Sequence, residues 1–124
     1  MKVTIPKYIL VCSGDGAKEL ITVPKCGCEL LVGFSSLDKW KQFCKRCWSQ
    51  AEGKWDYDLL DRSHLESRFC TDAVVLLAVD MTSVEDATFD AAPIAEVLRV
   101  WSDASIPRTE VELELERYPR DTKD

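Results

Sequence analysis

Hydrophobic and polar positions fall into short, readable segments. Residues 7–12 (KYILVC) and 19–23 (ELITV) are apolar and β-prone, and SGDG between them supplies turn residues that tolerate positive φ, so a hairpin is expected. Residues 29–34 (ELLVGF) predict another short strand. In SSLDKWKQFCKRCWSQAEG, the residues Leu37, Trp40, Cys44, Cys47, Trp48 and Ala51 recur at steps of three and four. That is one face of a helix, which Ser35 and Asp38 would start and Gly53 would stop. The alternative makes WKQF a strand and begins the helix near Cys44. Either version leaves Cys44 and Cys47 about one turn apart.

Residues 55–69 (WDYDLLDRSHLESRF) predict a helix that buries Leu59, Leu60, Leu65 and Phe69 in part, with Asp56, Asp58 and Asp61 near its positive end. Residues 73–79 (AVVLLAV) form a continuous, partly β-branched run, as expected of a central strand covered on both faces. Asp90 is placed to cap a helix with Pro93 in its first turn and Ile94, Val97, Leu98 and Trp101 as its inner stripe. TEVELELERY then alternates without a break, Val111, Leu113 and Leu115 facing one way and Glu110, Glu112, Glu114 and Glu116 the other. The expected fold class is α+β: one domain over residues 1–124, with a small mixed or antiparallel sheet and two to three helices.

Composition changes this picture in two places. The 124 residues contain no run long enough to cross a membrane, and Pro6 and Lys7 interrupt the short apolar N-terminal stretch, which argues against a signal peptide. A cytoplasmic protein with reduced thiols is therefore expected, which weakens a disulfide role for its six cysteines. The net charge of −6 is also uneven. Residues 25–54 carry six basic and three acidic side chains, a local +3, while the remainder carries ten basic and nineteen acidic, a local −9.

Four cysteines lie inside that basic stretch: Cys26-Gly27-Cys28, fifteen residues, then Cys44-Lys45-Arg46-Cys47. Two close pairs at this separation, in a reducing compartment, point to a structural tetrahedral zinc site with Cys26, Cys28, Cys44 and Cys47 as ligands. Two other readings remain open. Buried cysteines are common in cores, and a C-x-x-C pair at a helix start can run redox chemistry through a depressed thiol pKa. Cys12, in an apolar strand, and Cys70, near a helix end, read as core thiols able to replace a ligand.

Residues 24–53 resemble the four-cysteine treble-clef and zinc-ribbon class of zinc fingers. In that class a knuckle and hairpin supply one ligand pair and the start of a helix supplies the other, here FCKRCW. The usual knuckle has two residues between its cysteines where this chain has one, and Gly27 would relieve the tighter backbone. The resemblance implies an inserted zinc-finger subregion that docks on nucleic acid or on protein.

Other constellations are weaker. His64-Leu65-Glu66 is an H-x-E triplet, but zinc deaminases place that triplet before their cysteine pair, and here it follows. Asp80 at the end of the apolar run, trailed by Thr82, Ser83, Glu85, Asp86 and Asp90, invites a magnesium or phosphate reading, and turn and capping duty explains the same residues. No nucleophile elbow, phosphate loop or triad spacing is present, so an enzyme is not expected. Two binding functions remain. One is a protein-interaction, inhibitor or regulatory module acting through the acidic surface on a basic partner. The other is a nucleic-acid reader using Lys39, Lys41, Lys45 and Arg46, with Trp40, Trp48, Trp55 and Tyr57 interleaved. The net charge favours the first.

Overall fold

In this computed structural model, residues 1–14, 17–25, 27–47, 54–68 and 74–119 are described. The chain is α+β, and its described residues form a mixed sheet, a separate two-stranded ribbon and three α-helices. The strands are β1 (Lys2–Thr4), β2 (Tyr8–Gly14), β3 (Ala17–Leu20), β4 (Val23–Lys25), β5 (Cys28–Phe34), β6 (Trp55–Leu59), β7 (Val75–Val79), β8 (Phe89–Pro93), β9 (Glu112–Glu114) and β10 (Glu116–Tyr118). The helices are α1 (Leu37–Arg46), α2 (Arg62–Ser67) and α3 (Ile94–Val100).

The sheet grows from its most apolar strand. β7 is buried at every position, and it pairs in parallel with β5, Glu29 opposite Val75 through Gly33 opposite Val79. β8 and then β10 extend the sheet beyond β7 with antiparallel pairing. On the other side of β5 the sheet forks. β2 meets β5 only at Tyr8–Phe34 and Ile9–Gly33, after which β3 lies along β2 and β4 along β5. The free side of β2 is taken by β6.

Alternation along these strands divides the core into two clusters. Leu10, Leu30, Val32, Phe34, Leu76 and Ala78 face α1, which covers them with Phe43 and Cys47. Ile9, Val11, Leu31, Leu77 and Val79 face the opposite way, toward Leu65 of α2, Ile94, Val97 and Trp101 near α3, and a separate ribbon in which β9 pairs with β1. No helix among the described residues is long and apolar enough to cross a membrane.

Four sequence expectations are corrected. Residues 55–59 form a strand, because WDYDL also alternates with period two and the open side of β2 offers it a ladder; the helix begins only after Asp61. Leu59, expected to be partly buried, is 55% exposed. Asp90 caps nothing: it sits in β8 and pairs with Arg117 at 2.7 Å, while Pro93 occupies the N-cap of α3. The glutamate-rich segment breaks at Leu115, where it leaves β1 for β8, although its in–out alternation holds. Expectations on Trp48, Gly53, Phe69 and Cys70 lie outside the described residues.

The unpaired edge of β6 is protected from within. Leu60 N donates to Lys7 O and Ser13 N to Lys54 O, so Trp55, Tyr57 and Leu59 present their backbone groups outward. Asp56 Oδ1 accepts from Tyr57 N at 2.8 Å and Asp58 Oδ1 from Leu59 N at 3.0 Å, and Lys18 Nζ donates to Tyr57 O at 3.1 Å. With Tyr57 N, Tyr57 O and Leu59 N already bonded, the edge offers less to a further strand.

Gly33 marks the tightest approach in the sheet. A Cβ built there would stand 2.6 Å from Pro6 Cγ and 3.1 Å from Pro6 Cβ. Gly33→Ala is expected to lower stability by about 1–3 kcal/mol in denaturant unfolding, as overpacking does. Adding Pro6→Ala should recover part of the loss. An unchanged midpoint for the single variant would contradict this packing.

Candidate functional site

Cys28, Cys44 and Cys47 are brought to one side of the sheet. Cys28 opens β5 on the pleat of Leu30 and Val32, half-buried against the α1-side cluster. Cys44 lies in the last turn of α1, also half-buried, and Cys47 is its buried C-cap residue, with N donating to Phe43 O at 3.1 Å. Cys12, on β2, shares the pleat of Leu10 and faces the same side. Cys26 lies outside the described residues. Between Lys25 and Cys28, Gly27 adopts φ 76°, the left-handed turn its neighbours demand of a glycine.

One loop residue joins the two halves. Val84 N lies 3.5 Å from Cys47 Sγ, and Val84 O accepts from Lys25 Nζ at 2.9 Å. Ser83 Oγ is 3.8 Å from the same sulfur. The peptide at Val84 is thus held from α1 on one side and from the β4–β5 hairpin on the other. Aromatic packing fixes α1 in place. Phe43 stacks on Trp55 at 5.7 Å, Trp40 meets Tyr57 edge-on at 5.0 Å, and Trp40 Nε1 donates to Asp56 O at 3.1 Å. Trp55 is thus half-buried, stacked on Phe43 and also lining a depression of about 430 Å³ with Ile21, Pro24 and Val84.

The helix does not run as the spacing suggested. Ser36, not Ser35, is the N-cap, its side chain accepting from Lys39 N, and the helix ends at Arg46. Cys44 thus stands in the last turn of α1 and Cys47 at its C-cap, not at the helix start where treble-clef fingers place the pair. This removes the basis for a redox C-x-x-C. A helix C-terminus carries the negative end of the dipole, which disfavours a thiolate. Burial, then Cys47, then Asp56 push the Cys44 thiol up to about 11. Among the described residues no three His, Cys, Asp or Glu side chains form a group able to hold a metal, so Cys28, Cys44 and Cys47 do not complete a site by themselves.

Asp80 closes the other end of this face. It has φ 56°, and its N donates to Gly33 O at 2.8 Å. Its carboxylate accepts from Ser35 N and Ser35 Oγ, both at 2.8 Å, and meets Lys39 Nζ at 3.4 Å. The side chain binds the ends of β5 and β7 to the start of α1. Two of the acids that trail it are engaged as well. Asp86 accepts from Thr82 N and Oγ1 in a turn, and Asp90 accepts from Arg117 across the strands.

His64 is also occupied. It helps line a depression of about 580 Å³ with Glu19, Ser63, Ser67 and Arg68. Its Nδ1 accepts from Asp61 N at 3.0 Å, which leaves the proton of the neutral ring on Nε2, 3.5 Å from Asp58 Oδ2. Ser67 Oγ donates to His64 O rather than to the ring.

The candidate cations all stand on α1. Lys39, Lys41, Lys45 and Arg46 are exposed, and only Lys39 has an ion pair among the described residues. On the far side of the sheet Glu110, Glu112, Glu114 and Glu116 are exposed while Val111, Leu113 and Leu115 are buried.

Sequence reasoning missed Phe43, which the helix buries deepest, as well as the Val84 clamp and the Asp80 lock. Phe43 falls three residues after Trp40 and four before Cys47, so the helical step contained it. The clamp and the lock join residues 37 and 45 positions apart, and no local pattern signals them.

Two expectations follow. In metal-free protein Cys44 should alkylate at neutral pH at about a tenth of the rate of an unperturbed cysteine, or slower. Its raised pKa favours the protonated thiol in the folded state, so its contribution to stability is present below about pH 9 and is lost as pH climbs through about 11. Alkylation as fast as in a free peptide would contradict this environment. Second, Asp80→Ala should cost about 2 kcal/mol, since it removes the bonds to Ser35 and puts alanine, which tolerates the left-handed region less well than aspartate or asparagine, at φ 56°. Asp80→Asn tolerates that φ and should cost less, as read by thermal unfolding.

Neither a protein-family model nor a curated protein nor a solved structure matches this chain.

Proposed function

We propose that the chain is a non-catalytic docking module that engages a basic protein surface through its glutamate-rich ribbon. The observation that carries this reading is the row Glu110, Glu112, Glu114 and Glu116, exposed at every second position over a buried apolar row. Glu110 and Glu112 have no ion pair among the described residues, and Glu114 meets only the Met1 ammonium, at 3.3 Å. Such a row favours a cationic partner by electrostatic complementarity and disfavours a polyanion. The engagement of His64 Nδ1 by Asp61 N and of Nε2 by Asp58 favours binding over catalysis.

A structural zinc ion is the second part of the proposal, with Cys26, Cys28, Cys44 and Cys47 as its ligands. The paired spacing supports it, as does the common face shared by Cys28, Cys44 and Cys47. Bound zinc would hold these thiols as thiolates and brace the β4–β5 hairpin against the end of α1. The docking reading does not depend on it.

Fluorescence anisotropy with a lysine- and arginine-rich peptide tests the docking reading. Binding is expected to weaken with salt and to fall about tenfold in the Glu110→Lys, Glu112→Lys, Glu114→Lys variant, while the same peptide made acidic should not bind. Equal binding by wild type and variant would overturn it. So would a preference for DNA or RNA that vanishes when Lys41, Lys45 and Arg46 are neutralised. Native mass spectrometry of protein expressed with added zinc should show one ion per chain, lost in Cys26→Ser and Cys44→Ser; metal-free wild type would remove the zinc.

A further inference from the structure

We infer that the basic surface is that of a second copy of this chain, whose α1 lies against the ribbon of the first. The inference rests on the docking reading above and names its partner.

The argument starts from charge on opposite sides of one sheet. α1 covers the face formed by Leu30, Val32 and Phe34, and its outward cations Lys41, Lys45 and Arg46 have no ion pair among the described residues. The ribbon packs Val111, Leu113 and Leu115 against the cluster of Leu31 and Leu77 on the other face. The two patches cannot reach each other within one chain, because the sheet stands between them. Each is therefore available to another molecule.

Their spacing is compatible. Lys41 and Lys45 are four residues apart on a helix, about 6 Å along its axis, and they share a face. Glu112 and Glu114 are two residues apart on a strand, about 7 Å, and they also share a face. A helix laid along the ribbon can set both cations near both carboxylates. Lys39 and Glu114 contribute less, because Asp80 already holds the first and the Met1 ammonium, with Lys2 opposite, the second.

The same geometry limits the strength and form of the contact. Two chains of net charge −6 repel at long range, so attraction acts only where the patches come within about a Debye length, roughly 8 Å at physiological ionic strength. Exposed pairs are individually weak. The contact joins different patches on the two copies, so repetition gives open chains that lengthen with concentration rather than a closed dimer. Strand addition at β6 competes less well, because Asp56, Asp58 and Lys18 already engage Tyr57 N, Leu59 N and Tyr57 O.

Sedimentation velocity over a wide concentration range, at moderate and high salt, tests this with a charge swap. Wild type should sediment faster as concentration rises and lose that dependence at high salt. Lys41→Glu with Lys45→Glu should weaken association about tenfold or more, and so should Glu112→Lys with Glu114→Lys. An equimolar mixture of the two variants should recover association, because each then offers the patch the other needs. Circular dichroism and thermal melting of each variant confirm that these exposed positions leave the fold intact. A wild type that stays monomeric at all concentrations overturns the inference, as does a mixture that shows no recovery. Monomeric wild type that still binds the basic peptide through Glu110, Glu112 and Glu114 removes only the second copy as partner. Failure of both experiments removes the docking reading too.

Discussion

The parallel pairing of β5 with β7 is the constraint on which the rest of the molecule depends. Both strands are covered on two sides, so neither has a polar face to give to solvent. Each side then needs its own cover. One is supplied by α1, and the other by α2, α3 and the β1–β9 ribbon. A parallel pair also needs a long crossover, and here it holds α1, β6 and α2. The stretch that carries Cys44 and Cys47 is thus part of the sheet's own wiring. Asp80 finishes the pairing, tying the end of β7 to Gly33 and Ser35.

This arrangement sets which residues are free to act. Cys47, Trp40, Phe43 and Trp55 pack α1 to the sheet. His64 and most of the acids near Asp80 are spent on turns and helix starts. Among the described residues, Lys41, Lys45 and Arg46 on one face and Glu110 and Glu112 on the other are exposed without an ion pair, and the proposed docking function draws on these.

Much of the fold was legible where burial acts on whole segments. The run through Val79, the strand through Phe34 and the stripe Ile94, Val97, Leu98 and Trp101 take the places their patterns required. Misreadings arose where two periods fit one segment. WDYDL followed by LDRSHL satisfies a helical step as well as alternation, and the vacant side of β2 decided between them. The end of α1 was hidden for a different reason. No glycine or asparagine stands at Cys47; its C-cap position goes with the thiol's contact to Val84, a residue 37 positions away. The α1 side of the cysteine cluster was visible in the spacing, whereas the reversed position of the pair on its helix required the tertiary structure.

The fork between β2 and β5 has a consequence for motion. Only Tyr8–Phe34 and Ile9–Gly33 join the two halves of the sheet directly. On one side lie β3, β2 and β6, and on the other β4, β5, β7, β8 and β10. Phe43 spans this seam, touching Phe34 on one half and stacking on Trp55 of the other. Native proteins open along such weakly joined boundaries before they unfold as a whole. In hydrogen exchange the β2–β3–β6 amides would form one cooperative unit and the β5–β7–β8 amides a slower one, with α1 as the clasp whose release couples them.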